Sequence, residues 1–336
     1  MDTKAYDEKK KGLMFDWEKV KKAYHPKQFH AHGIFDQDVP AWLVPETLGE
    51  DHARTDLAIE IAGFLTFMKR ARVESGVVGI FGPPGSGKSS IAREIASILN
   101  LPYLNVALSG DTICSELLGA TELVGGETKF VPSPMAEIIA YGGVLELAEI
   151  NLPRVDALSA LNSILDFNQV LTLPNGQTLK RHPLSFIVAT INLDLEGTKD
   201  MNEALKDRIQ PFYEVQFPKK ELLTEILRKN LKGVSMKTLV QPYGDETVLD
   251  KMVECFLEAR STREGLGEDL QNHLTVRWLI TWAKMSEYLG SVHEASRRVL
   301  ASGCNFDRQL MRHVAGQIDH YFGGDEGECL NEDLSI

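Results

Sequence analysis

Apolar residues recur along the chain at two different spacings, and the change from one to the other divides it. Between Thr55 and Arg72 they fall three to four apart, at Leu57, Ile61, Leu65 and Met68, which predicts a helix with one buried face. Short apolar-rich runs follow at Val77–Phe81, Tyr103–Ala107, Val144–Leu147 and Ser185–Thr190. Runs of this length predict buried strands. Helical patterns separate most of them, Ser89–Leu99 among them, so the strands should run parallel in one sheet with helices on both faces. Two insertions interrupt the alternation. One spans about 119–134 and turns at Gly125-Gly126; the other spans about 170–180 and turns at Asn175-Gly176. Each predicts a β-hairpin. Beyond Pro218 the strand patterns stop and helical periodicity dominates to about Tyr321, with Trp278 and Trp282 four residues apart on a core-facing stripe.

This pattern predicts an α/β domain over about 46–218, built on a doubly wound parallel sheet, then a small all-helical domain over about 219–322. Residues 1–45 form a turn-rich extension. Residues 323–336 are rich in Gly, Asp and Glu, which reads as an acidic disordered tail. The 336 residues are 43% hydrophobic and 25% charged, as expected of an ordinary soluble core. With 36 basic and 48 acidic residues the formal net charge is −12, which argues against a broad basic face for nucleic acid. The charged start (Lys9, Lys10, Lys11) precedes no apolar segment of the signal-peptide kind. No stretch approaches 18 apolar residues, so no membrane span is expected. Cys114, Cys255, Cys304 and Cys329 lie far apart without CxxC spacing, which fits a reduced, cytoplasmic protein. His25, His30 and His32 cluster without a visible scaffold and are read as solvated side chains, not metal ligands.

Chemistry enters at Gly82-Pro83-Pro84-Gly85-Ser86-Gly87-Lys88-Ser89, a GxxxxGK[ST] run between an expected strand and an expected helix. Glycines there let the backbone turn its N–H groups around phosphates. Lys88 would reach the β and γ oxygens, Ser89 would ligate Mg²⁺, and Ser90, next in the helix, joins Gly82–Ser89 among the residues expected to bind the nucleotide. The helix N-terminus adds its positive end. ATP and Mg²⁺ are the implied ligands.

With this loop placed, the chain resembles the AAA+ ATPases over about residues 45–300, and within them the MoxR/CbbQ/CobS-like, dynein-related branch with a helix-2 insert. The resemblance is carried by the loop, the acidic strand Gly143–Asn151, Ala189-Thr190-Ile191-Asn192, the run Asn202-Glu203-Ala204-Leu205-Lys206-Asp207-Arg208, and Thr275-Val276-Arg277. The two hairpins match that branch's helix-2 insert and pre-sensor-1 hairpin. The acidic strand in this family ends in Asp-Glu. Here Glu149 matches the glutamate that polarises the attacking water, while Ala148 stands where the metal-shell aspartate belongs. Glu146 shares a strand face with Ala148 but sits about 7 Å away along it, so direct coordination of the metal is not expected; a water-bridged contact stays open, and the favoured reading is a pair with a basic neighbour or a partly wet edge. The resemblance then implies ATP binding with weakened hydrolysis. It further implies that Asn192 is sensor 1, that Arg208 is an arginine finger acting on a neighbouring subunit, and that Arg277 is sensor 2. ATP would lie at the junction of the two domains of a ring, expected to be a hexamer. Its work would be to remodel or activate a client protein, through a partner bearing a von Willebrand A domain in some family members. Two other readings stay open: a nucleic-acid or defence-system motor, and a nucleotide-gated scaffold without turnover. The neutral hairpin tips, Val124-Gly125-Gly126 and Leu173-Pro174-Asn175-Gly176, argue against the motor, with only Lys129, Lys180 and Arg181 as nearby cations.

Overall fold

The computed structural model describes residues 41–48, 55–70, 76–153, 155–166, 168–192, 203–234, 236–261 and 273–323. The extension up to residue 40 with its three histidines, and the tail from residue 324 with Cys329, lie outside them. Nine strands organise the first part of the chain: β1 Val77–Gly82, β2 Tyr103–Ala107, β3 Gly119–Val124, β4 Glu127–Pro132, β5 Gly143–Ala148, β6 Val170–Thr172, β7 Thr178–Lys180, β8 Ser185–Asn192 and β9 Phe212–Glu214.

Five of them form a sheet in the order β2-β5-β8-β1-β9. β2 and β5, β5 and β8, and β1 and β9 pair in parallel. The chain enters at β1, crosses to the far edge at β2, returns through β5 and β8, and finishes on the other side of β1. The winding direction therefore reverses between β1 and β8. In an open α/β sheet, the carboxyl ends of the strands at such a switch point frame the ligand crevice. The inner strands are apolar because both faces are covered: Val144, Leu145, Leu147, Ile187, Val188 and Ala189 are fully buried. Each large side chain so removed from water contributes about 1.5–3 kcal/mol to folding.

β9 is an element that hydrophobic patterning does not reveal. It is three residues long and sits at the edge of the sheet, where Gly79 faces Phe212. A Cβ on Gly79 would come within 2.1 Å of the Phe212 ring, so the absence of a side chain lets that ring lie across β1.

Both insertions are antiparallel ribbons. β3 and β4 pair from Gly119↔Pro132 to Val124↔Glu127, closing on the two-residue turn Gly125-Gly126. The φ angles of 64° and 86° at those glycines are what a type I′ turn requires. β6 and β7 pair from Val170↔Lys180 to Thr172↔Thr178. Their loop is longer than a two-residue turn: the Leu173 amide donates to Gln177 and the Gly176 amide donates back to Leu173. Pro174-Asn175 thus fill the turn, Gly176 takes the left-handed position at φ 81°, and the arrangement is a three-residue hairpin with a bulge.

Contacts divide the chain into two units. One carries the sheet and runs to Glu214; the other begins at Val215 and also includes Gly82–Ser86. The second unit consists mainly of helices Lys220–Asn230, Val248–Ser261, Val276–Leu289, Val292–Gly303 and Arg308–Phe322, with a two-residue ribbon pairing Pro242–Tyr243 with Glu246–Thr247. Side-chain oxygens of Thr275, Ser291 and Asp307 accept backbone N–H groups at three of the helix starts, each worth about 1 kcal/mol. Trp278 and Trp282 lie in the core with ring centroids 5.3 Å apart. Their indole N–H groups donate to the Val299 carbonyl at 2.7 Å and the Val292 carbonyl at 3.1 Å, which removes the cost of burying them. Among the described residues no helix is long and apolar enough to cross a membrane.

Candidate active site

The phosphate loop leaves β1 and ends at helix Lys88–Leu99. Gly85 and Gly87 hold φ of 70° and 94°, conformations that only glycine adopts cheaply. A Cβ on Gly87 would meet nothing within 4 Å, whereas one on Gly85 would strike the Thr275 side chain at 2.7 Å. Ser86 is buried and its hydroxyl has no hydrogen-bond partner among the described residues. A buried hydroxyl left unpaired beside an open glycine cradle suits an anion that brings acceptor oxygens. Lys88 is buried, and desolvation lowers its pKa to about 8 against the opposing pull of Glu149 and Glu146. It is therefore charged at neutral pH. Pro83 and Pro84 are half-buried, while Ser89 and Ser90 face solvent.

At the carboxyl end of β5 the backbone turns sharply. Glu149 takes φ 61°, a left-handed conformation for a residue with a side chain, which costs of order 1–2 kcal/mol. Two backbone bonds hold it: the Ile150 amide donates to Thr190 at 3.2 Å, and the Leu152 amide donates to Glu149 at 2.9 Å. The side-chain amide of Asn192, the last residue of β8, donates from Nδ2 to Glu149 Oε1 at 2.7 Å. Asn192 is itself held from behind, where Asn151 Nδ2 donates to its carbonyl at 3.4 Å. Adjacent parallel strands, in register from Gly143↔Ser185 to Ala148↔Thr190, thus deliver a carboxylate and the amide that orients it.

Ala148 presents no polar atom beyond its backbone, but Glu146, two residues earlier, does not behave as its sequence position suggests. Lys88 is a basic neighbour that feels the Glu146 charge, but the hydrogen bonds of Glu146 are with hydroxyls, and it reaches no wet edge. It is fully buried, and Ser89 Oγ of the phosphate loop donates to its Oε1 at 2.7 Å. Thr190 Oγ1 approaches the same oxygen at 3.4 Å, and the Tyr103 hydroxyl donates to Oε2. Burial, followed by the nearby Glu146 charge and that bond, pushes the Tyr103 pKa well above its usual value. The phenol therefore stays protonated and keeps donating. Sequence reading missed Glu146, Tyr103 and Thr190 as a set. The available signal was a carboxylate at an inward position of an otherwise apolar strand, on the face it shares with Ala148.

The remaining candidates stand elsewhere. Arg208 ends helix Glu203–Arg208, donating to the Ala204 carbonyl at 2.7 Å and lying 3.9 Å from Asp166. Its ion partner is Asp166, not the adjacent Asp207. Arg277 is exposed in the first turn of helix Val276–Leu289. Arg181 is buried, with Nη1 donating to the Ile164 carbonyl, so it adds no charge to a hairpin surface. No group of three or more His, Cys, Asp or Glu is gathered to hold a metal among the described residues.

Comparison with known proteins bears on this arrangement. A protein of Staphylococcus epidermidis, titled only as uncharacterised, is 28% identical over 225 residues, covering 65% of this chain and 81% of its own. A likewise titled protein of Staphylococcus aureus is 32% identical over 204 residues, covering 58% of this chain and 76% of its own. The structure of NtrX from Brucella abortus in complex with ADP superposes with a TM-score of 0.47 at 15% identity. That alignment covers 82% of this chain and 64% of NtrX, so the chain spans less than two thirds of that protein's length. The family model described as AAA domain (dynein-related subfamily) matches residues 78–209, a span that begins in β1, takes in the phosphate loop, Glu146, Glu149 and Asn192, and ends just after Arg208. Residues 78–209 thus form an AAA domain of the dynein-related subfamily, a nucleotide-binding ATPase fold.

Proposed function

We propose that this protein hydrolyses ATP and uses the energy to remodel or activate a client protein, as a ring-forming ATPase of the MoxR/CbbQ type. The observation that carries the hydrolytic part is the 2.7 Å hydrogen bond from Asn192 to Glu149, made at the ends of adjacent strands in the same unit as Lys88 and Ser89. A carboxylate fixed in this way can orient a water and accept its proton as the water attacks phosphorus. Lys88 offsets charge on the phosphoryl oxygens. Mg²⁺ bound with the nucleotide would be held by Ser89 and the phosphates, and would neutralise charge on the β and γ oxygens. The unpaired Ser86 hydroxyl and the open space at Gly87 fit such a ligand.

The reading as a protein remodeller, in place of a nucleic-acid motor, draws on the resemblance and on the charge of the first hairpin. Its described cation, Lys129, lies 3.3 Å from Glu127 and faces Glu122 across the ribbon, while Leu123 beside them is 77% exposed. A ribbon with two carboxylates, one lysine and a bare leucine suits a protein surface better than a phosphate backbone.

The ring is tested by mixing. Glu149 would act on ATP in its own subunit and Arg208 on ATP in the neighbour, after leaving its weak surface contact with Asp166. Glu149→Gln and Arg208→Ala should each be inactive alone, and rings assembled from both should recover turnover. Full activity of Arg208→Ala, or mixed rings no better than the single variants despite shown co-assembly, contradicts the in-trans arrangement.

A further inference from the structure

We propose that Glu146 is the carboxylate of this chain's metal shell, doing from two residues earlier on β5 the work that an aspartate at position 148 would do. The proposal rests on the nucleotide-site reading above and concerns which residue completes it. Its basis is the buried arrangement of Ser89, Glu146, Thr190 and Tyr103.

Glu146 and Ala148 lie on the same face of β5, since side chains alternate along a strand. The backbone separation of about 7 Å looked too great when measured toward position 148. Measured toward the phosphate loop it is irrelevant. Helix Lys88–Leu99 brings Ser89 over β5, and Ser89 Oγ meets Glu146 Oε1 at 2.7 Å. The longer glutamate side chain makes up what its earlier position loses. Alanine at 148 leaves that face clear for it.

Three features separate this from a buried carboxylate with a structural role. First, the environment is costly: neighbouring Leu145 and Leu147 are fully buried, as is Glu146, and burying a carboxylate is expensive without a cation or a full set of donors. An apolar residue would suit the sheet better. Second, one of the partners is Ser89, the phosphate-loop hydroxyl that would ligate Mg²⁺, so the carboxylate stands beside the residue that would hold the metal. Third, Ser89 itself is exposed while its hydroxyl reaches the buried carboxylate, so the pair lies where the core meets the face open to a nucleotide. Tyr103 fixes Oε2, which leaves Oε1 directed at Ser89. The hydrogen bonds that hold Glu146 come from hydroxyls, and the neighbouring cation, Lys88, belongs to the phosphate loop itself and acts on it through space.

The test uses Mn²⁺ as the metal probe and ADP as the nucleotide, with the full chain. Electron paramagnetic resonance reads Mn²⁺ affinity for the ADP-loaded protein, and calorimetry reads metal-free ADP affinity. Glu146→Gln preserves shape and removes the charge, with its amide nitrogen donating to a hydroxyl where the carboxylate oxygen accepted. It should weaken Mn²⁺ binding tenfold or more while metal-free ADP affinity stays within about threefold. Unchanged Mn²⁺ affinity overturns the proposal and leaves the nucleotide reading intact. No ADP binding by the unsubstituted chain removes that reading and this proposal together. A second variant keeps the test independent of how Glu146→Gln folds. Because the position is already served, Ala148→Asp should raise Mn²⁺ affinity less than threefold. A gain of tenfold or more would mean that the shell lacks a carboxylate in the present chain, and that Glu146 does not supply it.

Discussion

Replacing Asn192 by alanine removes the side chain that, among the described residues, hydrogen-bonds the Glu149 carboxylate. The bond is short, 2.7 Å, and its acceptor is a half-buried carboxylate. Hydrogen bonds to charged groups contribute about 1.5–3 kcal/mol net. If that orientation is required only as water attacks, the loss appears in the barrier, where about 1.4 kcal/mol is tenfold in rate. Turnover at saturating ATP should then fall roughly 10- to 150-fold. The backbone bonds from Ile150 and Leu152 that hold the left-handed Glu149 stay in place, so the carboxylate swings but its anchor does not. Asn192 makes no described contact with Lys88, Ser86 or Ser89, and ATP affinity should therefore change less than about threefold. Phosphate release under steady state and nucleotide titration separate the two effects. Because the residues act as a unit, Asn192→Ala on top of Glu149→Gln should cost little more than Glu149→Gln alone. Turnover within threefold of the unsubstituted chain, or losses that simply add, would refute the assignment of Asn192 as the group that orients Glu149.

Two further outcomes follow from other parts of the molecule. ATP affinity should fall as pH rises above about 8: Lys88 in the free protein titrates near there, phosphates raise that value, and the binding gain is present below it and lost as pH passes through the bound-state value; affinities at pH 7, 8, 9 and 9.5 check this, and Lys88→Ala should bind weakly at all four. Gly303→Ala should lower the thermal midpoint of the helical unit by destabilising it about 1–3 kcal/mol, since its Cβ would lie 2.2 Å from Trp278 Nε1, the atom that donates to Val299; scanning calorimetry reads the shift.

Much of this was legible in the chain, but not evenly. The phosphate loop could be read directly because its glycines are demanded by backbone conformation and its lysine by chemistry, both local properties. The acidic strand was legible as far as Glu149. What Glu146 does was not, because period-two alternation says which face a side chain takes and not what packs on that face. Only the descent of Ser89 onto β5, set by tertiary packing, turns an odd buried glutamate into part of the site. β9 escaped for a different reason: three residues at a sheet edge are too few for a period to show. The intramolecular contacts of Arg208 with Ala204 and Asp166 were likewise invisible, since Asp166 stands 42 positions away and no local pattern joins them.

The central claim is that this chain hydrolyses ATP with Glu149 as the residue that acts on water, and single-turnover phosphate release tests it most directly. Purified protein loaded with ATP and Mg²⁺ should release phosphate, whereas Glu149→Gln should bind ATP with similar affinity and hold it uncleaved, at least about 100-fold more slowly, as expected when a water-activating group is removed. Equal release by both proteins, or no release from the unsubstituted chain under conditions where ATP is shown to be bound, would contradict the account.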